Sequence, residues 1–154
     1  MNTVTTLQDP PVPIRAKLAT AWTSFMFLYI YVDYFALYKP GFVDDLRAGV
    51  VWHFDVSQPL LVAFLVLVSI PAVMIALSVA LPARATRIVT LVVASLYVPV
   101  TAFNGLGEAW TWFYGLSIAL ELMLLAFILR AAWTWPRAVQ IGDTTPEPVL
   151  LDTP

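Results

Sequence analysis

The stretch Pro59-Leu-Leu-Val-Ala-Phe-Leu-Val-Leu-Val-Ser-Ile-Pro71-Ala-Val-Met-Ile-Ala-Leu-Ser-Val-Ala-Leu81 carries no charge and almost no polar side chain. At about 1.5 Å of rise per residue, about 20 apolar residues in a helix cross a hydrocarbon layer about 30 Å thick. Pro59 suits a first helical turn, where no N–H is needed. Pro71 falls mid-run, where it removes a hydrogen bond and kinks the helix. Lipid tolerates such a proline when a neighbour satisfies the freed carbonyl. Ala72, Ala76 and Ala80 recur every four residues below it. This small-residue stripe allows close approach of another helix, from this chain, a second copy or another membrane protein.

Three further runs lie on either side. Residues 18–38 hold one charge, Asp33, and end at Lys39-Pro40-Gly41. Residues 88–104 carry Pro99, and residues 110–132 carry Glu121. The 154-residue chain is 60% hydrophobic and 12% charged, against about 45–50% and about 25% in ordinary soluble domains. A soluble chain this short cannot hide so much apolar surface in one core. The expected fold is therefore all-α, an integral membrane four-helix transmembrane bundle with spans at 18–38, 59–81, 88–104 and 110–132. They form one domain over 17–137, antiparallel because the later connections are short. Residues 1–16 and 138–154, polar and proline-bearing, read as a disordered cytoplasmic leader and tail. Gly105-Leu-Gly107-Glu108 reads as a tight turn.

Basic residues give the orientation. With Met1 inside, cytoplasmic segments hold Arg15, Lys17, Arg84, Arg87, Arg130 and Arg137, and outer ones only Lys39 and Arg47. The positive-inside rule places both termini in the cytoplasm. Trp22, Trp52, Trp110, Trp112, Trp133 and Trp135 fall near span ends and read as an aromatic belt. In the outer segment Gly41–Gln58, Phe42, Leu46, Val50 and Phe54 recur every four residues, behind Asp44 and Asp45. That pattern predicts a short amphipathic helix on the membrane face.

Much chemistry is excluded. The chain has no cysteine and one histidine, so disulfides, thiolate metal sites and cysteine nucleophiles are out. His53 alone, with Asp55 nearby, reads as solvated, because metal sites need several convergent ligands. No axial-ligand pair for haem, phosphate loop or Ser/His/Asp arrangement is visible. No catalytic residue, metal or cofactor is expected, and no basic run suggests nucleic acid.

Asp33 and Glu121 dominate the functional reading. A charge at the bilayer centre costs about 2.5–3.5 kcal/mol on insertion scales, so such residues turn inward and need partners. On the last run Thr111, Tyr114, Ser117 and Glu121 form a stripe at helical spacing. On the third, Thr90, Tyr97, Thr101 and Asn104 do the same, and on the first Tyr29 lies one turn before Asp33. The expected proton- or substrate-binding set is Asp33, Glu121, Tyr29, Tyr97, Thr101, Asn104, Tyr114 and Ser117. No Lys, Arg or His stands mid-span to pair with either acid. Two readings follow: a neutral hydrogen-bonded lock, or a pair that loads protons or a cation. Tyr29, Tyr31, Tyr34, Phe35 and Tyr38 read as packing and belt residues more readily than as a ligand cage.

The run from Trp22 through Tyr29 and Asp33 to Pro40-Gly41 resembles a family of small bacterial four-span membrane proteins of unknown function. Ile70-Pro71-Ala-Val-Met74 and Trp133-Thr-Trp135-Pro136 are similar to it too. The resemblance covers Lys17 to Pro136. It implies a bacterial inner-membrane protein with the Asp33 segment as signature, and it brings no activity.

The leading functional expectation is a small permease or carrier-like protein, proton- or cation-linked through the two carboxyls. The alternative is a non-catalytic accessory protein or subunit binding another membrane protein. A membrane enzyme acting on a lipid or quinone ranks below both.

Overall fold

The computed structural model describes residues 10–105 and 109–136. The expected tail, most of the leader, Arg137 and part of the Gly105–Glu108 turn lie outside the described residues. The elements are α1 (Ile14–Ala36), α2 (Phe42–Arg47), β1 (Val50–Val51), β2 (Phe54–Asp55), α3 (Gln58–Ala80), α4 (Ala83–Phe103) and α5 (Thr111–Trp133).

Helices α3, α4 and α5 are long and apolar enough to cross a membrane. Helix α1 matches α3 in length at 23 residues. It is less apolar, because Arg15, Lys17, Asp33, Tyr29, Tyr31 and Tyr34 all lie within it. Ser57 caps α3 by accepting from the Leu60 N–H at 3.4 Å, and Pro59 occupies the first turn. Pro82 ends α3 by holding Leu81 extended, with ψ of 154°. Helix α4 starts straight after it, five residues before the apolar run at Ile88.

The long helices stand in a ring, each antiparallel to its chain neighbour. Helix α1 packs on α3 and α5, α5 packs on α4, and α3 touches α4 least. Arg15, Lys17, Arg84, Arg87 and Arg130 gather at one end of the ring, where α1 and α4 begin and α3 and α5 finish. Two of them close helix ends. Arg15 Nη1 donates to the Val79 carbonyl at 2.9 Å, and Arg87 Nε to the Ala132 carbonyl at 3.2 Å. A helix leaves its last carbonyls unpaired and its C-terminus partly negative, so a cation there satisfies both.

The half nearer this basic end is solid. Leu18, Trp22 and Phe25 of α1 meet Met74 of α3, Ala94 of α4, and Leu125 and Ile128 of α5, all buried. Trp22 is wholly enclosed and packs edge-on against Phe25 at 5.9 Å. It is a core residue, which corrects its assignment to the aromatic belt. Trp110, Trp112 and Trp133 remain on the surface at helix ends.

Helix α3 buries Pro71, Met74 and Ser78. Ala72, Ala76 and Ala80 face outward and are exposed, so the stripe makes no close helix contact within the chain. Pro71 has no N–H for the carbonyl four residues back, that of Leu67. The Tyr97 hydroxyl of α4 donates to that same oxygen, across the seam between the two helices. The missing donor and its replacement thus come from two helices.

The segment before α3 differs from the single amphipathic helix expected over 41–58. Only Phe42–Arg47 is helical. Gly49, at φ +81°, turns the chain, and Val50–Val51 pairs antiparallel with Phe54–Asp55 around Trp52, itself at φ +58°. Left-handed φ suits glycine, and β-branched valines favour extended backbone over helix. The every-fourth pattern also fits a strand, since four is a multiple of the strand period of two.

Candidate functional site

Away from the basic end the ring parts around a cavity of about 750 Å³. This falls within the roughly 300–1,000 Å³ typical of small-molecule pockets. Helix α2 and the hairpin lie over it, contributing Phe42, Leu46, Val51, Trp52 and Phe54. Helix α3 supplies Phe64, Leu67 and Val68, and α4 supplies Pro99, Val100 and Phe103. These walls are wholly apolar.

The polar wall belongs to α1 and α5, with Asn104 from the end of α4. Tyr29, Asp33, Tyr114, Ser117 and Glu121 all line the cavity. Glu121 is buried, 2% exposed, and its Oε2 has no hydrogen-bond partner among the described residues. Asp33 is exposed and lines the cavity. The two carboxyls lie within electrostatic reach of each other, and the Tyr29 hydroxyl within reach of both. Asn104 Nδ2 donates to the Tyr29 hydroxyl at 2.9 Å, joining α4 to α1. Ser117 turns its hydroxyl to the Tyr114 carbonyl at 2.9 Å, back along its own helix.

Of the eight residues singled out from sequence, six line this volume. The other two stand beside it. Tyr97 spends its hydroxyl on the Leu67 carbonyl, and its ring meets Phe25 edge-on at 6.0 Å. Thr101 is fully buried next to Glu121. Thr111, placed on the same stripe as Glu121, is exposed at the start of α5.

Lys39 is a participant that its place in sequence hid. Its ammonium donates to the Tyr114 hydroxyl at 3.2 Å and lies 4.9 Å from the centre of that ring. It follows the end of α1, as the sequence implies, and is also a cation held on a wall residue 75 positions away. His53 is exposed and stacks on Trp52 at 5.7 Å. Among the described residues no three His, Asp or Glu side chains converge as metal ligands.

A mostly helical chain with three apolar helices long enough to cross a membrane fits a helical membrane protein, here with an acid-walled internal cavity. Its family can be stated more closely. The family of unknown function DUF6326 matches residues 14–141, and the chain belongs to it. No curated protein and no solved structure matches the chain.

Proposed function

We propose that the protein is a small carrier-like membrane protein whose Asp33 and Glu121 load and release protons or a cation within the cavity. The observation that carries this reading is the cavity itself, with both span carboxyls on one wall and Lys, Arg and His absent from its lining among the described residues. A hydrogen-bonded lock would surround its acids with partners, whereas among the described residues Glu121 has Thr101 alone beside it and its Oε2 meets no bonded donor.

In this reading α1 is a fourth span, wedged between α3 and α5 and equal to α3 in length. The basic end faces the cytoplasm of a bacterial inner membrane, so both termini are inside and α2 with the hairpin lies outside. The cavity then opens on the outer half, and the solid half below forms the closed side of an alternating-access cycle.

The test is infrared difference spectroscopy of reconstituted protein between about pH 5 and 9. A carboxyl band lost in Glu121→Gln, moving with pH or with added cation, supports the carrier. A Glu121 band unchanged throughout that range ends it.

A second reading, an accessory protein or self-associating subunit, draws on the outward stripe Ala72, Ala76 and Ala80. Small residues on a lipid-facing surface allow another helix to approach closely. Ala76→Leu should then dissociate an oligomer or partner complex in mild detergent, and an unchanged assembly state counts against it.

A further inference from the structure

The cavity has one loose side. Helices α3 and α4 touch least of the neighbouring pairs in the ring, and the Tyr97–Leu67 hydrogen bond ties them at the cavity wall. Phe64 of α3 and Phe103 of α4 both line the cavity and are 42% and 55% exposed, and Phe103 packs edge-on against Trp52 of the hairpin at 5.7 Å. A cavity-lining side chain this exposed stands at an edge of the cavity rather than deep in its wall. Both edges belong to helices apolar and long enough to cross a membrane. This side of the opening therefore faces lipid tails, while Trp52 and Phe54 of the hairpin, 42% and 50% exposed, edge it at the end.

Opposite this opening stand Asp33 and Glu121. A ligand entering from hydrocarbon must carry an apolar body to reach the site and match the aromatic walls. At the far wall it meets two carboxyls, one with a buried oxygen that has no bonded donor among the described residues. A negative head would be repelled there and a purely apolar one would leave the carboxyls unmatched. A positive head offers each carboxyl a counter-charge, and Tyr29 offers it an aromatic face. The Lys39 ammonium is held aside on Tyr114.

We propose that the ligand is a membrane-partitioned organic cation, an amine or quaternary centre on an aromatic or aliphatic body. It enters sideways from the bilayer between α3 and α4 and places its charge between Asp33 and Glu121. This rests on the carrier reading above and names its substrate class and route.

The test uses full-length protein in lipid nanodiscs, with tetraphenylphosphonium as the cation and triphenylphosphine oxide as the neutral comparison. The cation should bind at least about tenfold tighter than the neutral probe, with about tenfold lost in both Glu121→Gln and Asp33→Asn. Equal binding of the two probes, or binding unchanged in both variants, overturns the ligand class. The route is tested by attaching a bulky maleimide at Phe103→Cys, since the chain has no cysteine of its own. Leu116→Cys, exposed on α5 and not part of the cavity lining, is the control. Association should slow about tenfold with the label at 103 and stay unchanged at 116. Equal rates for both labelled proteins overturn lateral entry. A Glu121 carboxyl that responds to pH in protein that ignores tetraphenylphosphonium removes this ligand and leaves the carrier standing. Tight cation binding with a Glu121 carboxyl silent to both pH and cation overturns the carrier and, with it, the seat of the charge between Asp33 and Glu121.

Discussion

Tyr97→Phe removes one oxygen, and the arrangement around Pro71 sets what that costs. The hydroxyl satisfies the Leu67 carbonyl, which Pro71 leaves without its helical donor. Losing it strands a carbonyl of a half-buried residue between two apolar helices. Stranded polar groups cost about 1–3 kcal/mol. Hydrogen bonds between membrane helices average about 0.6 and reach about 1.7 kcal/mol in double-mutant cycles. We expect about 1–1.5 kcal/mol for Tyr97→Phe, near the top of the membrane range because no alternative donor is built in. Pro71→Ala restores a backbone N–H four residues after Leu67, so the helix itself can take the carbonyl. On that background Tyr97→Phe should cost about 0.5 kcal/mol or less, a coupling near 1 kcal/mol. The assay is equilibrium unfolding in mixed micelles with rising dodecyl sulfate, read by helical circular dichroism across all four proteins of the cycle. Packing losses at the buried Pro71 cancel in the cycle. An equal cost of Tyr97→Phe on both backgrounds would refute the reasoning.

Reporter fusions after Arg87 should read cytoplasmic and those after Arg47 external; an external signal after Arg87 breaks the proposed topology. Leu125→Ala, at a fully enclosed side chain, should cost about 2–5 kcal/mol in the same unfolding assay. Leu116→Ala, on the surface of α5, should stay within about 0.5 kcal/mol, and similar losses at both sites would contradict the packing described. Ala76→Leu should leave the isolated chain within about 0.5 kcal/mol of native, because the added atoms point away from its own helices. A large loss in monomeric protein would place the stripe at an internal contact. Arg87→Met should lower stability by about 1 kcal/mol through the lost Ala132 bond, and a protected α5 C-terminus in hydrogen exchange would argue otherwise.

What could be read from sequence followed the contrast between polar and apolar side chains. Helices α4 and α5 each carry polar residues at helical spacing, and the spacing marks the inward face: Thr90, Tyr97, Thr101, Tyr114, Ser117 and Glu121 are all buried. Helix α3 offers no such contrast. It is apolar on every side, so nothing in its periodicity separates the buried Pro71–Met74–Ser78 face from the outward alanines. Small size marks a surface that can be approached closely, without saying by which helix. Trp22 misled for a related reason, since an indole near a span end suits an interface and a core equally. The hairpin was hidden because one spacing served two periods, though Gly49 beside paired valines carried the signal. The Lys39–Tyr114 pair joins residues 75 apart, and no local pattern encodes such a meeting.

The two arginine contacts at the basic end bear on how the chain is put together. Arg15 joins α1 to α3, and Arg87 joins α4 to α5. Each contact closes a pair of long helices that leave the ribosome one after the other. The two pairs are also closely packed within themselves, and they meet broadly through α1 and α5. Synthesis can therefore finish one hairpin before the second begins, and then dock the two along their first and last helices. The remaining seam, between the middle helices, is the narrowest of the four. A chain cut in the short connection at Leu81–Pro82 keeps every broad interface it had.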